Sequence, residues 1–176
     1  MPLIQPGLNM SVKSRVGAGL FGGAIALATV LVTAHEGHRN HAYVDGANTV
    51  TICEGHTRGV KLGDVASPGQ CAEYLRADML EANAELDRCT SAQLTTNQRA
   101  AFISFAYNIG GVKFCASSIA RKINSHDIKG ACKAIGLYQF VAGKDCRIKG
   151  SNCGGIVKRR AEEMALCWPS FANVTG

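Results

Sequence analysis

Two acidic residues and a threonine lie close together near the start of the chain. Glu36 is followed by Asp45 after eight intervening residues and by Thr51 after five more. Hydrolysis of a glycosidic bond requires one carboxylic acid that donates a proton and one carboxylate that stays ionised. A threonine hydroxyl beside them could hold the attacking water. A Glu and an Asp at this separation also occur by chance in many proteins, so the surrounding residues decide the interpretation.

The local sequence predicts the end of a helix followed by a β-hairpin. The helix-compatible residues end at Glu36, and Gly37 is a plausible C-cap. Two short β-type runs, HAYV and TVTIC, flank the turn sequence DGAN. The negative end of the helix dipole disfavours ionisation of Glu36, whereas Asp45 on the turn is better solvated and should stay ionised. These two settings would keep Glu36 protonated as a proton donor and Asp45 ionised as a carboxylate.

The motifs around these residues resemble those of the phage-type lysozymes, the muramidases that cut bacterial cell walls. In that family a Glu, an Asp and a Thr have the spacing found here, and Gly37, Tyr43 and the Gly-His-Thr at 55–57 match as well. Downstream, LTTNQRAAFISFAYNIGG, SSIARKIN and GGIVKRRAEE are similar to family segments and follow the family's order. The resemblance covers roughly residues 35–167.

The resemblance implies a fold and an activity. The fold would be lysozyme-like, a mainly helical α+β domain with a small β-hairpin lobe, a larger helical lobe and the active cleft between them. The enzyme would hydrolyse the β-1,4 bond between N-acetylmuramic acid and N-acetylglucosamine in peptidoglycan, without a cofactor or metal. Glu36 would be the general acid, and Asp45 with Thr51 would act on an attacking water and invert the product anomer.

The chain departs from the family pattern at three places. Glu54 stands where many relatives have a small or aromatic residue, Cys53 lies two residues after Thr51, and Tyr138 or Phe140 replaces a common Trp. These changes could shift substrate fit, but they leave the three key residues in place.

Three basic or titratable neighbours have predicted roles of their own. His56 is interpreted as a buried partner of an acid rather than as a catalytic residue. His35 is expected to be solvated, and Arg39 is a candidate for orienting one of the two carboxylates.

An uncharged segment at 16–34 lies directly before the acid pair, and Lys13 and Arg15 precede it. Nineteen residues are about enough to span a bilayer as a helix, and preceding basic residues retain the N-terminus inside. Four glycines and five alanines make the segment only weakly apolar. The chain therefore divides into a short cytoplasmic leader at 1–15, this segment, and a catalytic domain at 35–176.

Three interpretations of the segment compete. It is a cleaved signal peptide, with a small-residue site ending at Ala34, or a permanent anchor, or a reversible anchor. Cleavage after Ala34 would leave Glu36 as the second residue of a frayed terminus, which argues against removal. A weak anchor that leaves the membrane uncut resembles the signal-arrest-release (SAR) type of endolysin. The protein would first be tethered to the host inner membrane on its periplasmic side and then be soluble in the periplasm.

Eight cysteines follow the segment, an even count that is typical of disulfides in an oxidising compartment. Buried thiols are the alternative, and no Cys pair has the spacing of a zinc site. The favoured pairs are Cys53–Cys71, Cys115–Cys132, Cys146–Cys153 and Cys89–Cys167. Cys71 and Cys89 should not pair, because 18 helical residues would separate them by about 27 Å.

The formal net charge of +6 suits an anionic partner such as peptidoglycan or lipid headgroups. No nucleic-acid-binding signature is present, so nucleic acid is not expected as a partner, and the protein is expected to be a monomer. Two rival functions remain. One is a non-catalytic, membrane-tethered cell-wall-binding protein on the same scaffold, and the other is a lytic transglycosylase, which needs one acid and no water-holding pair.

The rest of the chain is interpreted as a helical scaffold. Ser67 and Pro68 begin a helix that runs to the vicinity of Cys89, with small or apolar residues at helical spacing. Thr95 or Thr96 caps the next helix, whose phenylalanines form a core face. Further helices are predicted near 117–125, 127–136 and 156–166, and Pro169 would close the lobe.

Overall fold

The computed structural model describes residues 12–45 and 48–168, with side chains from residue 22 onwards, so Pro169 and most of the predicted leader lie outside the described residues. Seven α-helices, one short 3-10 helix (Ile135–Leu137) and two short hairpins make up this part of the chain. The helices are α1 (Val12–His35), α2 (Pro68–Cys89), α3 (Thr96–Ile109), α4 (Gly111–Cys115), α5 (Ser118–Asn124), α6 (Ile128–Ala134) and α7 (Gly154–Cys167). The strands are β1 (Arg39–Val44), β2 (Val50–Cys53), β3 (Phe140–Val141) and β4 (Lys144–Asp145).

Helix α1 contains the uncharged segment and packs mainly against α3, with further contacts to α2 and α7. Ala24, Ala28 and Val32 recur every four residues and are completely buried. Two of the three are alanines, which allow the helices to approach closely. Within the part of the chain whose side chains are described, no helix combines the length and the apolar character needed to cross a membrane.

Strands β1 and β2 form the predicted antiparallel hairpin, in which Tyr43 pairs with Thr51 and Val44 with Val50. A small apolar cluster underlies this lobe and contains Ile52 and Cys53 from β2 with Ala66 and Cys71. The hairpin therefore has its own core, separate from that of the helices.

Helix α2 joins the two lobes and begins where the sequence predicted. Ser67 and Gln70 form a reciprocal capping box, and Pro68 occupies the first turn. The sequence predicts an inward face of small or apolar residues at positions 71, 75, 79, 82 and 86. This face is confirmed, since all five residues are buried: Cys71, Leu75, Met79, Ala82 and Leu86.

Helix α3 is the centre of the helical lobe. Thr95 caps it through a second capping box with Gln98, and Phe102 and Phe105 are completely buried among residues of α2, α5 and α6. Helix α7 packs on the same helix. The predicted mainly helical α+β architecture, with a small hairpin lobe and a larger helical lobe, is confirmed.

Four disulfides close the fold, and two of them differ from the predicted pairs. Cys53–Cys71 and Cys146–Cys153 form as expected. The predictions Cys115–Cys132 and Cys89–Cys167 are wrong, because the bonds are Cys89–Cys115 and Cys132–Cys167. The cause is the packing of the helices: α4 lies against α2, which brings together the cysteines at their C-terminal ends, and α6 lies against α7. Their Cα atoms are 5.2 and 5.6 Å apart, within normal disulfide reach.

Candidate active site

A cleft of about 630 Å³ lies between the hairpin lobe and the helical lobe. Its walls come from the end of α1, the β1–β2 hairpin, one face of α2 and the end of α3. All three residues singled out in the sequence, Glu36, Asp45 and Thr51, line this cleft. The structure therefore brings the predicted acid pair and hydroxyl to one open space.

Glu36 is placed by the end of α1 and by a contact with α7. Its backbone N–H donates to Val32 O at 2.9 Å, so it continues the hydrogen-bond pattern of the helix. The Arg159 Nη1 atom donates to Glu36 Oε1 at 2.5 Å. The Arg159 side chain is almost fully buried, whereas about a quarter of the Glu36 side chain is exposed (26%). The arginine therefore holds one carboxyl oxygen from within the protein and fixes the direction of the group.

A buried network supports Arg159 in turn. Arg159 Nε donates to the carboxylate of Glu163 at 3.2 Å, and Ser104 Oγ donates to the same oxygen at 2.7 Å. Arg160 donates to the second oxygen of Glu163 and also to the side chain of Asn108, which lines the cleft. Each buried charge thus has a partner, which is the condition under which buried ions are tolerated.

Asp45 and Thr51 are held by the hairpin itself. The backbone N–H of Asp45 donates to Thr49 O at 2.9 Å, and the Thr49 N–H donates back to Asp45 Oδ1 at 2.8 Å. Thr51 lies on β2 opposite Tyr43, is buried, and donates its hydroxyl to Thr49 O at 3.1 Å. Short-range hydrogen bonds therefore hold both side chains at the cleft.

A tight turn after β2 brings the hairpin lobe against Glu36. Ile52 and His56 exchange backbone hydrogen bonds of 2.9 and 3.0 Å, and Gly55 has a φ of 109°. A β-carbon at Gly55 would lie 2.9 Å from the Tyr107 hydroxyl and 3.8 Å from Glu36 Oε2. Only glycine fits this position without displacing its neighbours.

Tyr107 joins the two lobes beneath the cleft. Its hydroxyl, on α3, donates to Glu54 O in the hairpin lobe at 2.7 Å. Burial, followed by the negative charge of Glu36, raises the pKa of the Tyr107 phenol far above its usual range. Tyr107 therefore remains protonated and acts as a hydrogen-bond donor.

A sequence profile described as Phage lysozyme matches residues 33–163, which is most of the chain. The chain belongs to the phage lysozyme family.

Individual relatives agree with this assignment. A protein named SAR-endolysin from Escherichia phage 933W is 37% identical over 175 residues, covering 94% of this chain and 96% of its own length. The muramidase domain of SpmX from Asticaccaulis excentricus superposes with a TM-score of 0.69 at 25% identity, covering 80% of this chain and 94% of that domain. An endolysin from Escherichia coli O157:H7 phage FAHEc1 gives a TM-score of 0.67 at 25% identity, with 82% and 92% covered. The chain is a lysozyme-type glycoside hydrolase.

In this phage lysozyme the histidine of the Gly-His-Thr motif has the predicted structural role. The His56 ring stacks on Tyr74 with ring centroids 4.3 Å apart. Its Nδ1 lies 2.9 Å from an oxygen of Asp78, and its Nε2 lies 3.1 Å from Arg58 O. The histidine therefore ties the turn after β2 to helix α2.

The predictions for two other basic residues need correction. His35 is not solvated: only 8% of its side chain is exposed, and its Nε2 lies 2.7 Å from Glu162 Oε2 on α7. Arg39 stacks on the ring of Tyr43, 4.4 Å from its centroid, and Arg159 is the residue that orients Glu36. The only sequence signal for Arg159 was the Lys-Arg-Arg cluster within the family-like segment GGIVKRRAEE.

Among the residues whose side chains the structure describes, two groups are close enough together to be considered as metal ligands. One consists of His38, Glu54 and Cys71, and the other of Glu85 with Cys89 and Cys115. The sulfur atoms in both groups belong to disulfides, so they offer no thiolate. Neither group matches the ligand set of a structural zinc site.

Proposed function

We propose that this lysozyme is a phage endolysin that hydrolyses the β-1,4 bond between N-acetylmuramic acid and N-acetylglucosamine in peptidoglycan and so causes lysis of the host cell. Glu36 is the general acid, and Asp45 and Thr51 hold and activate the attacking water. The observation that carries the proposal is that these three side chains, from the residue after α1 and from both sides of the hairpin turn, line one cleft.

Glu36 protonates the glycosidic oxygen as the bond to the anomeric carbon breaks. Arg159 occupies one carboxyl oxygen of Glu36, and the other is directed towards Gly55 and the cleft. A general acid needs this fixed direction, because proton transfer requires an approach of about 3 Å to the leaving oxygen. The buried network behind Arg159 supplies the rigidity.

Asp45 accepts a proton from the water while the water oxygen bonds to the anomeric carbon. The turn hydrogen bond from Thr49 N–H fixes one oxygen of Asp45, and the Thr51 hydroxyl lies on the adjacent strand. Attack on the face opposite the leaving group would invert the anomer. The product is a free reducing end, and no cofactor takes part.

We also propose that the segment at 16–34 is the reversible membrane anchor of the SAR type. Tethered in the inner membrane, the segment would end two residues before Glu36, and this acid could not reach Arg159. On release, α1 packs on α3 through Ala24, Ala28 and Val32, and Glu36 enters the cleft. The released enzyme would be a periplasmic monomer with an uncut N-terminus.

Substitution of the proposed acid tests the chemistry. Glu36→Gln retains the shape of the side chain but removes its proton, so the rate of cell-wall clearing should fall by at least about 100-fold. Glu73→Gln, an exposed substitution on α2, is the matched control and should leave the rate unchanged. Activity of Glu36→Gln within a few-fold of the unchanged enzyme would assign the acid elsewhere. Products with 1,6-anhydro ends in place of reducing ends would identify a lytic transglycosylase, and no clearing by the unchanged chain would identify a binding protein.

A more apolar segment tests the release mechanism. Leucine at Gly17, Gly19, Gly22 and Gly23 should hold the protein in the membrane fraction and abolish lysis. When α1 is packed on the helical lobe, a side chain at Gly22 would point into open space, so leucine at this position is compatible with the folded enzyme. Serine at the same four positions is the control and should not increase membrane retention. A leucine variant that stays in the membrane yet lyses cells at the normal time would disprove the mechanism, as would an active enzyme that begins at His35.

A further inference from the structure

The second hairpin, β3–β4, and the disulfide-closed loop after it form an exposed surface that takes no part in the cleft. Large apolar side chains are concentrated here: of the eleven that are exposed in the described part of the chain, four lie between residues 137 and 148. They are Leu137, Phe140, Val141 and Ile148, with 71%, 57%, 40% and 65% of their surface exposed. Isolated exposed apolar residues are ordinary, whereas four within twelve residues of chain are a candidate interaction surface.

The same segment is basic. Lys144, Arg147 and Lys149 are exposed, and Asp145 is the single acidic residue among them. Arg147 donates to Asp145 through both its side chain and its backbone N–H, and these hydrogen bonds lower the pKa of Asp145 to about 2. The Arg147 guanidinium also lies 5.5 Å from the centroid of the Phe140 ring. Lysines thus remain beside apolar side chains, with their only acidic neighbour already paired.

The base of this surface is rigid, although its side chains are exposed. Tyr138 packs edge-on against Phe105, and its carbonyl accepts a hydrogen bond of 3.1 Å from Arg160. The backbone N–H of Cys146 donates to Gln139 O at 2.9 Å, and the Cys146–Cys153 disulfide closes the following loop. Little conformational entropy would be lost when a partner binds to such a platform.

We propose that this surface, residues 137–149, docks the enzyme on an anionic phospholipid membrane. Apolar side chains flanked by Lys and Arg are the composition of interfacial membrane binding, in which the cations meet headgroups and the apolar groups enter the acyl boundary. A hydroxylated, anionic glycan would engage the cations but would gain nothing from Leu137, Val141 and Ile148. The apolar half of the surface therefore favours lipid over a charged polymer.

Vesicle binding by the full chain in its soluble, disulfide-bonded form tests this surface. The measurement is co-sedimentation with vesicles of phosphatidylcholine alone and with vesicles that contain an equal amount of phosphatidylglycerol. The unchanged chain should bind the anionic vesicles more tightly. Lys144→Gln/Lys149→Gln should weaken that binding by about 30-fold, since each surface lysine contributes about fivefold. Phe140→Ser/Ile148→Ser should weaken it by about tenfold or more.

Matched variants separate this surface from the overall charge and from α1. Lys61→Gln/Lys113→Gln removes the same two charges from exposed positions elsewhere and should bind almost as the unchanged chain does. Because α1 is identical in all variants, any binding through α1 cancels in the comparison. The rate at which soluble cell-wall fragments are hydrolysed should be the same in every variant, which would show that each variant is folded.

Three results would overturn the proposal. The first is equal binding by the hairpin variants and the unchanged chain, and the second is equal binding to neutral and anionic vesicles. The third is that the hairpin variants bind purified cell-wall sacculi less tightly than the unchanged chain does, while their vesicle binding stays intact. An anionic polymer would then be the partner of this surface.

Discussion

The two acids of the cleft are held in different ways. Glu36 depends on Arg159, which lies 123 residues further along the chain, and on the docking of α1 against the helical lobe. Asp45 depends on Thr49, four residues away, within a hairpin that has its own small core. One half of the site can therefore form locally, whereas the other half forms only when distant elements come together. Displacement of α1 would therefore disturb Glu36 and leave the turn that holds Asp45 intact.

Removing the distant support should have the largest effect. Arg159→Met leaves Glu163 buried with one cation fewer and leaves Glu36 without its orienting contact. We expect a loss of about 3 kcal/mol in the free energy of unfolding, the scale for a broken buried ion pair, together with about a 100-fold fall in kcat. Urea unfolding and cell-wall clearing measure the two effects. A stable and fully active variant would contradict the claim that Glu36 depends on long-range support.

The junction between the two halves should be the next most sensitive place. Gly55→Ala adds a β-carbon 2.9 Å from the Tyr107 hydroxyl, so either the turn or the Tyr107 side chain must shift beside Glu36. We expect about a tenfold fall in kcat with little change in KM, because a displaced group impairs the reaction more than substrate binding. Gly63→Ala is the control: Gly63 also has a positive φ, 99°, but a β-carbon there would meet nothing within 4 Å. Equal losses in the two variants would attribute the effect to backbone strain alone.

The bridge through Tyr107 should have the smallest effect at neutral pH and a distinct effect in alkali. Tyr107→Phe removes the hydrogen bond to Glu54 O and should lower the free energy of unfolding by about 1 kcal/mol at pH 7. The folded-state pKa of Tyr107 lies above the unfolded value of about 10, so its stabilising contribution is complete below that pH and is lost as the pH rises further. Urea unfolding at about pH 7 and about pH 11 should therefore give a smaller alkaline loss in the variant. Parallel losses in both proteins would assign the alkaline transition to another group.

The sequence was informative wherever the determining interactions are local. The first hairpin, the N-cap at Ser67 and the inward faces of α2 and α3 follow from short patterns, and the structure confirms them. Of the two threonines predicted to cap α3, the structure selects Thr95. The three cleft residues were recognised from their spacing and from the resemblance to a family. Their catalytic roles stay a prediction until the substitutions are made.

Most of the misses depend on contacts between distant elements. Nothing in the segment GGIVKRRAEE indicates that Arg159 is buried, yet its side chain is nearly fully buried because α7 packs on α3 and meets the end of α1. His35 is covered by the same approach of α7. The wrongly predicted disulfides have the same origin, since the order of the cysteines along the chain does not show that α4 packs against α2. Hairpin β3–β4, with two residues in each strand, is too short for a periodic pattern.

The four-residue repeat that buries α1 continues to the proposed acid: Ala24, Ala28 and Val32 are followed by Glu36 at the next step. The rotation of α1 about its own axis therefore also sets the direction in which Glu36 points. Inserting a single residue between Val32 and Glu36 would rotate the acid by about 100° and advance it by about 1.5 Å, while the packed stripe stayed where it is. The number of residues between the last buried contact of α1 and Glu36 therefore sets the direction of the acid, and an insertion or deletion there should be more damaging than a substitution.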